Sequence, residues 1–165
     1  MCLYQRKQQV IKLPTAELFI SLKVPDNVAI TAFHTLERMG YSQLKKLERK
    51  DYYRFEFSGD KKRFEREISQ VDILVNANKH RFSFSLGTGI KNNESSVNVL
   101  VQDLEDGSGL LKTLKERLGI KGIKKMEKGV LWTMYFASIM DAENIATGIT
   151  KSLLMNENYQ KFRVL

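Results

Sequence analysis

Two clusters of basic residues at matched spacing carry the clearest chemical signal in this 165-residue sequence. Lys45, Lys46, Arg49 and Lys50 lie in LKKLERK, and Lys124, Lys125 and Lys128 recur in IKKMEKG. Cations so grouped can bind phosphates, carboxylates or an acidic protein surface, and the net charge of +8 points the same way. The competing reading is that the lysines sit on strand edges and discourage sheet-to-sheet association. Nothing comparable supports catalysis. The sequence has no GxSxG and no phosphate-binding loop, and its two histidines, His34 and His80, fall outside HxxxH or HExxH spacing. Its one cysteine, Cys2, is near the N-terminus, without a partner for a disulfide or a CxxC metal site. Asp103, Glu105 and Asp106 could attract a hard cation, but a solvated loop that favours a following helix N-terminus explains them more simply. We therefore expect no catalytic residue, no metal and no cofactor.

The elements that position the lysines are written twice. ERMGYSQLKKLERKDYYRFEF (37–57) is echoed by ERLGIKGIKKMEKGVLWTMYF (116–136), and ILVNANKHRFSF (73–84) by LLMNENYQKFRV (153–164). A period of half the chain is too long for a solenoid and implies tandem units. We place an N-terminal tail at 1–14, a first unit at 15–86, a glycine-rich linker at 87–96 and a second unit at 97–165. The GxG of that linker precedes an expected strand rather than a helix, so it is not read as a phosphate loop.

Leu18, Ile20, Leu22 and Val24 alternate as a strand. Pro25 and Asp26 start a helix with Ala29, Phe33, Leu36 and Met39 on one face, and Gly40 ends it. Gln43 to Arg49 and Tyr53 to Phe57 are expected as two strands of a hairpin turning near Lys50. Asp60 caps a helix carrying Phe64, Ile68, Val71 and Val75, and Phe82, Phe84 and Leu86 form the closing strand. In the second unit Val97, Val99 and Val101 alternate, Leu110, Leu111, Leu114 and Leu118 share a helix face, and Val130, Trp132, Met134 and Phe136 alternate again. Ser138 with Asp141 reads as a capping box, Gly148 weakens the helix that follows, and Phe162 and Val164 make the final strand.

Strand, helix, strand, strand, helix, strand is the ferredoxin-like order, an α+β unit with two helices on one face of an antiparallel sheet. Leu100, Leu131 and Tyr135 would leave the other face more apolar than solvent tolerates, so the two sheets are expected to meet as an intramolecular pseudo-dimer. RNA-recognition modules share this order, but DYYRFEF lacks their glycines and its alternation puts Tyr53, Phe55 and Phe57 under the helices, leaving Tyr52 and Tyr135 for stacking.

Three stretches resemble the PurS family, the small subunit of phosphoribosylformylglycinamidine synthase. AFHTLERMGY (32–41) is similar to its helix ending in glycine and an aromatic, the basic segment after it to the family's hairpin, and LLMNENYQKFRV to its closing helix end and strand. The resemblance covers both units. The loops after the first strand of each, VPDNV and DLEDGSG, depart from the family's longer proline- and glycine-containing loop. The resemblance implies a non-catalytic adaptor that joins glutaminase and synthetase subunits in purine biosynthesis, an accessory to an ATP-dependent amidotransferase, with a tandem standing in for the family's dimer. On this reading Lys45, Lys46, Arg49, Lys50, Lys124, Lys125 and Lys128 are partner-binding residues. The alternatives are a basic RNA-binding module and a ferredoxin-like small-molecule sensor. The absence of a long apolar run or export signal leads us to expect a cytoplasmic protein without membrane contact, self-paired within one chain and open to further homo-oligomerisation.

Overall fold

The computed structural model describes residues 11–87, 95–105, 107–138 and 140–165. It is an α+β structure with one six-stranded antiparallel sheet and four helices. The first half supplies β1 (Thr15–Leu22), α1 (Asn27–Arg38), β2 (Leu44–Phe57), α2 (Lys61–Ser69) and β3 (His80–Ser83). The second supplies β4 (Ser95–Asp103), α3 (Ser108–Lys112), β5 (Ile123–Phe136), α4 (Ala142–Ile149) and β6 (Gln160–Val164). Both α3 and α4 run on into a π-helical turn, at Thr113–Arg117 and Thr150–Leu154.

Two expectations about the topology are corrected. The hairpin near Lys50 does not form: β2 is a single strand of 14 residues, and so is β5. The alternation explains this, because Leu47, Tyr53, Phe55 and Phe57 keep one phase across Lys50 and Asp51, and all four contribute to the helix-covered side. A turn would break that phase. Nor do two sheets meet face to face. The strand order is β3-β1-β2-β5-β4-β6, and the halves join edge to edge as β2 pairs with β5 from Leu44↔Phe136 to Phe57↔Ile123. Pairing the two long strands satisfies backbone groups that two separate sheets would leave on open edges.

The helices cover one face over two cores, each built from both halves. In one, Ala16, Leu18 and Ile20 of β1 and Phe55 and Phe57 of β2 pack under Phe64 and Ile68 of α2, with Leu114, Ile123 and Met126 contributed by the second half. In the other, Val97, Val99 and Val101 of β4 and Trp132, Met134 and Phe136 of β5 pack under Ala146 and Ile149 of α4, with Ala29, Leu36, Leu44 and Leu47 contributed by the first. Each half thus lends its first helix segment to the other half's core. Phe57 and Phe64 stack with centroids 4.0 Å apart. The opposite face holds a smaller cluster of Phe19, Tyr52, Leu100 and Leu131, with Leu86 packed on it from beyond β3. Leu100 and Leu131 are therefore covered within the chain, without a second sheet.

Local signals act as their chemistry dictates. The Asp26 carboxylate accepts from the Val28 and Ala29 amides at 2.9 and 3.3 Å, and that of Asp60 from Arg63 at 2.8 Å. Gly40 and Gly119 end their helical segments at φ of 96° and 72°, which favours glycine. Ser138 and Asp141 do not form a capping box: the Ser138 hydroxyl accepts from the Met140 amide, and Asp141 sits at φ 58° without a side-chain bond to the helix. Val24 lies beyond the end of β1, and Met39 and Phe82 are exposed. Most of the expected linker, and Cys2, fall outside the described residues, and Ser95 and Ser96 belong to β4.

Candidate interaction site

The strands diverge at two matched places. β1 leaves β2 after Ile20↔Asp51 but stays paired with β3 through Leu22↔His80. β4 leaves β5 after Gln102↔Gly129 but stays paired with β6 through Asp103↔Gln160. Consequently Leu44–Lys50 of β2 and Ile123–Lys128 of β5 have a strand on one side only, among the described residues. Each divergence opens a cleft. The first, about 370 Å³, lies between the end of β1 with its loop to Asp26 and the segment Lys46–Lys50. The second, about 390 Å³, lies between Gln102–Glu105 and Lys124–Glu127. Arg81 of β3 borders the first and Lys161 of β6 the second.

Both clefts carry the same local design. The register of β2 against β5 skips between Leu44 and Lys46 at one end and between Glu56 and Phe57 at the other, so Lys45 and Lys124 are the extra residues of two bulges. Lys46 pairs with Glu48 at 2.6 Å, and Lys125 with Glu127 at 3.0 Å. A further ion pair crosses each opening: the Arg49 guanidinium donates to Asp26 at 2.9 Å, and Lys128 lies 3.4 Å from Asp103. Lys45 donates to the Ser42 carbonyl at 2.9 Å.

The carboxylates are held in their charged form. Burial works against ionisation of Asp26, but the Arg49 bond and the two helix amides outweigh it and keep its carboxyl below the usual range. Burial likewise opposes ionisation of Glu48 and Glu127, and is overcome by Lys46 with the Tyr135 hydroxyl in the first case and by Lys125 and Arg54 in the second. Glu127 in return raises the Lys125 ammonium above its ordinary value.

The seven basic residues singled out in the sequence therefore do not form one patch or two projecting hairpins. Lys46 pairs across with Tyr135 and Lys125 with Glu56, at opposite ends of the β2–β5 ladder. Ten residues of strand separate them, roughly 33 Å at about 3.3 Å per residue. Lys50 and Lys124 form no ion pair with another described residue, and neither do Arg81 and Lys161. These last two were not singled out, since only the strand order brings them beside the clefts. The repeated Lys-x-Glu of KLE and KME was a visible signal of the matched ion pairs.

Other sequence-level candidates separate. Tyr52 is buried, donates to Glu17 at 2.7 Å and so offers no face for stacking; burial and Glu17 push its hydroxyl above the ordinary tyrosine range. Tyr135 donates to Glu48 at 3.0 Å and lies under the Lys46 ammonium, 5.0 Å from the ring centre. Asp103 accepts from the Gln160 amide at 3.0 Å, Asp106 lies outside the described residues, and no group of three or more potential metal ligands occurs among the described residues. His34 contacts Glu37 on α1, whereas the His80 ring accepts from the Asn76 amide at 3.1 Å, so the two histidines serve separate local structures. Among the described residues no helix is long and apolar enough to cross a membrane. The sequence matches no protein-family model and none of the curated proteins.

Proposed function

We propose that this chain is a non-catalytic, PurS-like adaptor whose two similar three-stranded halves act as a covalent counterpart of a dimer. The observation that carries the reading is the strand-to-strand union of the duplicated halves, the 14-residue β2 on the 14-residue β5, which presents two matched clefts from one continuous sheet. Such a platform suits a subunit that holds two larger proteins in fixed relation. Its partners on this reading are the glutaminase and synthetase subunits of phosphoribosylformylglycinamidine synthase, and its place is the cytoplasm. The duplication, the basic segments at both ends of the ladder and the PurS-like stretches support this reading together.

Size-exclusion chromatography with light scattering tests it. The chain is mixed with both subunits in the presence of glutamine and Mg-ADP. A ternary peak containing this chain is expected. Separate elution of the chain at micromolar concentrations would overturn the purine-synthetic assignment, leaving the resemblance as one of ancestry.

A further inference from the structure

The two open strand segments share a geometry that the adaptor reading does not require. In an antiparallel ladder alternate residues turn their N–H and C=O groups to opposite sides. Along Leu44–Lys50 and Ile123–Lys128 one side is met by the partner long strand, and over Lys46–Lys50 and Lys124–Glu127 the other faces a cleft. Strand edges of this kind accept an added extended peptide, whose backbone supplies affinity while neighbouring pockets read alternate side chains. The Leu44 amide is bonded to the Tyr41 carbonyl and Lys45 is the bulge residue, so the regular free edge is Lys46–Lys50, close to a typical strand of about 5–6 residues.

We propose that each cleft binds an extended acidic peptide segment by strand addition, the first along Leu44–Lys50 and the second along Ile123–Lys128. Charge selects this occupant. The first cleft is lined by Lys46, Arg49, Lys50 and Arg81 against two carboxylates, Glu48 and Asp26, so that after the Lys46–Glu48 and Arg49–Asp26 pairs Lys50 and Arg81 keep unpaired positive charge there. A second copy of the chain docking antiparallel on this edge about Leu47 would set Lys45 opposite Arg49 as well as Lys46 opposite Glu48, so like-charge pairs offset the attractive ones and charge gives such a copy no net advantage. A partner with carboxylates at alternate positions meets the unpaired cations without any like-charge pair between two lysine-bearing edges. Nucleic acid would satisfy the cations but not the row of backbone donors and acceptors. Three carboxylates, Asp103, Glu105 and Glu127, border the second cleft, so it binds the more weakly.

The proposal rests on the chain being a partner-binding scaffold, not on the purine-synthetic identity of its partners. Amide hydrogen exchange by NMR tests it, with the blocked heptapeptide Glu-Val-Glu-Val-Glu-Val-Glu added to the whole chain at about 1 mM, a concentration that populates even weak complexes. Slowing of alternate amides by about tenfold or more is expected along 44–50, and less along 123–128. The Lys46→Glu/Lys50→Glu variant abolishes the slowing in the first segment and keeps it in the second, which also reports that the variant is folded. Alternate N-methylation of the peptide abolishes both, because it removes the backbone donors. No slowing in either segment, or equal slowing by the N-methylated peptide or by a lysine analogue of the heptapeptide, would overturn strand addition. A ternary subunit complex formed while these edges stay unprotected would retain the adaptor reading and sink this one.

Discussion

Replacing Asp26 by alanine removes two roles of one carboxylate, and the structure assigns a magnitude to each. As the cap of α1 it accepts two helix amides, and loss of such a cap costs about 1 kcal/mol. As the partner of Arg49 it makes a charge-assisted bond at 2.9 Å. Side-chain exposures of 15% for Asp26 and 24% for Arg49 place this pair between a buried and a surface one, so we assign it about 1 kcal/mol. Asp26→Ala should therefore cost about 2 kcal/mol, or roughly 4–8 °C in Tm for a chain of this size. Asp26→Asn keeps a good capping side chain and loses the charge, so about half that cost is expected. The sign with pH follows from the lowered carboxyl pKa of Asp26. Below the ordinary value of 3.8 the unfolded chain binds more protons at this site than the folded one, so the ionic contribution is complete above that value and disappears as pH falls through the folded pKa. Urea unfolding at pH 7 and along the acid limb, with an Arg49→Met double-mutant cycle, measures both parts. Equal destabilisation by Asn and Ala would refute the separation of cap from charge. Zero coupling to Arg49 would refute the ionic share.

Other expectations follow from single contacts. Gly129→Ala should lower stability by about 1–3 kcal/mol in thermal unfolding, because a Cβ there overlaps the Val101 carbonyl of the neighbouring strand. Gly148→Ala should raise it by up to about 1 kcal/mol, since the added methyl meets only the Tyr41 hydroxyl at an ordinary 3.6 Å. Tyr52 should be missing from the early part of an alkaline absorbance titration, and Tyr52→Phe should cost about 1 kcal/mol through the lost bond to Glu17. Fragments 11–87 and 95–165, prepared apart, should fail to fold as monomers and should recover native circular dichroism on mixing; two independently folded fragments would refute the shared cores.

The sequence made some of this legible and concealed the rest for physical reasons. Asp26 and Asp60 are short-range signals, and each caps the helix expected of it. The alternation through Tyr53, Phe55 and Phe57 placed these residues under helices, as found. The same alternation runs unbroken from Leu47, but two apolar stretches separated by the short polar segment around Lys50 also fit a hairpin, and only the continuous phase tells one strand from two. The union of β2 with β5 depends on residues some 80 positions apart and leaves no local mark. Amphipathic spacing in α1 shows that Ala29 and Leu36 are buried but not that Val99 and Trp132 share their core. At the clefts, the lysines and the Lys-x-Glu pairs were readable, whereas Arg81 and Lys161 became relevant only through the strand order.

The lending of α1 to the second half's core has a consequence during synthesis. When the ribosome has released only the first half, Leu36, Leu44 and Leu47 have none of Val97, Val99, Trp132 or Met134 to pack against, and the 14-residue β2 has no β5. The nascent chain then shows an apolar helix face beside an unpaired strand, the combination that invites chaperone capture or pairing with a neighbouring nascent chain. What resolves the competition is the short connection: only 11 residues separate the end of β3 at Ser83 from the start of β4 at Ser95. A tether of that length holds the correct second half at an effective concentration on the order of millimolar, far above that of any neighbour on the same message.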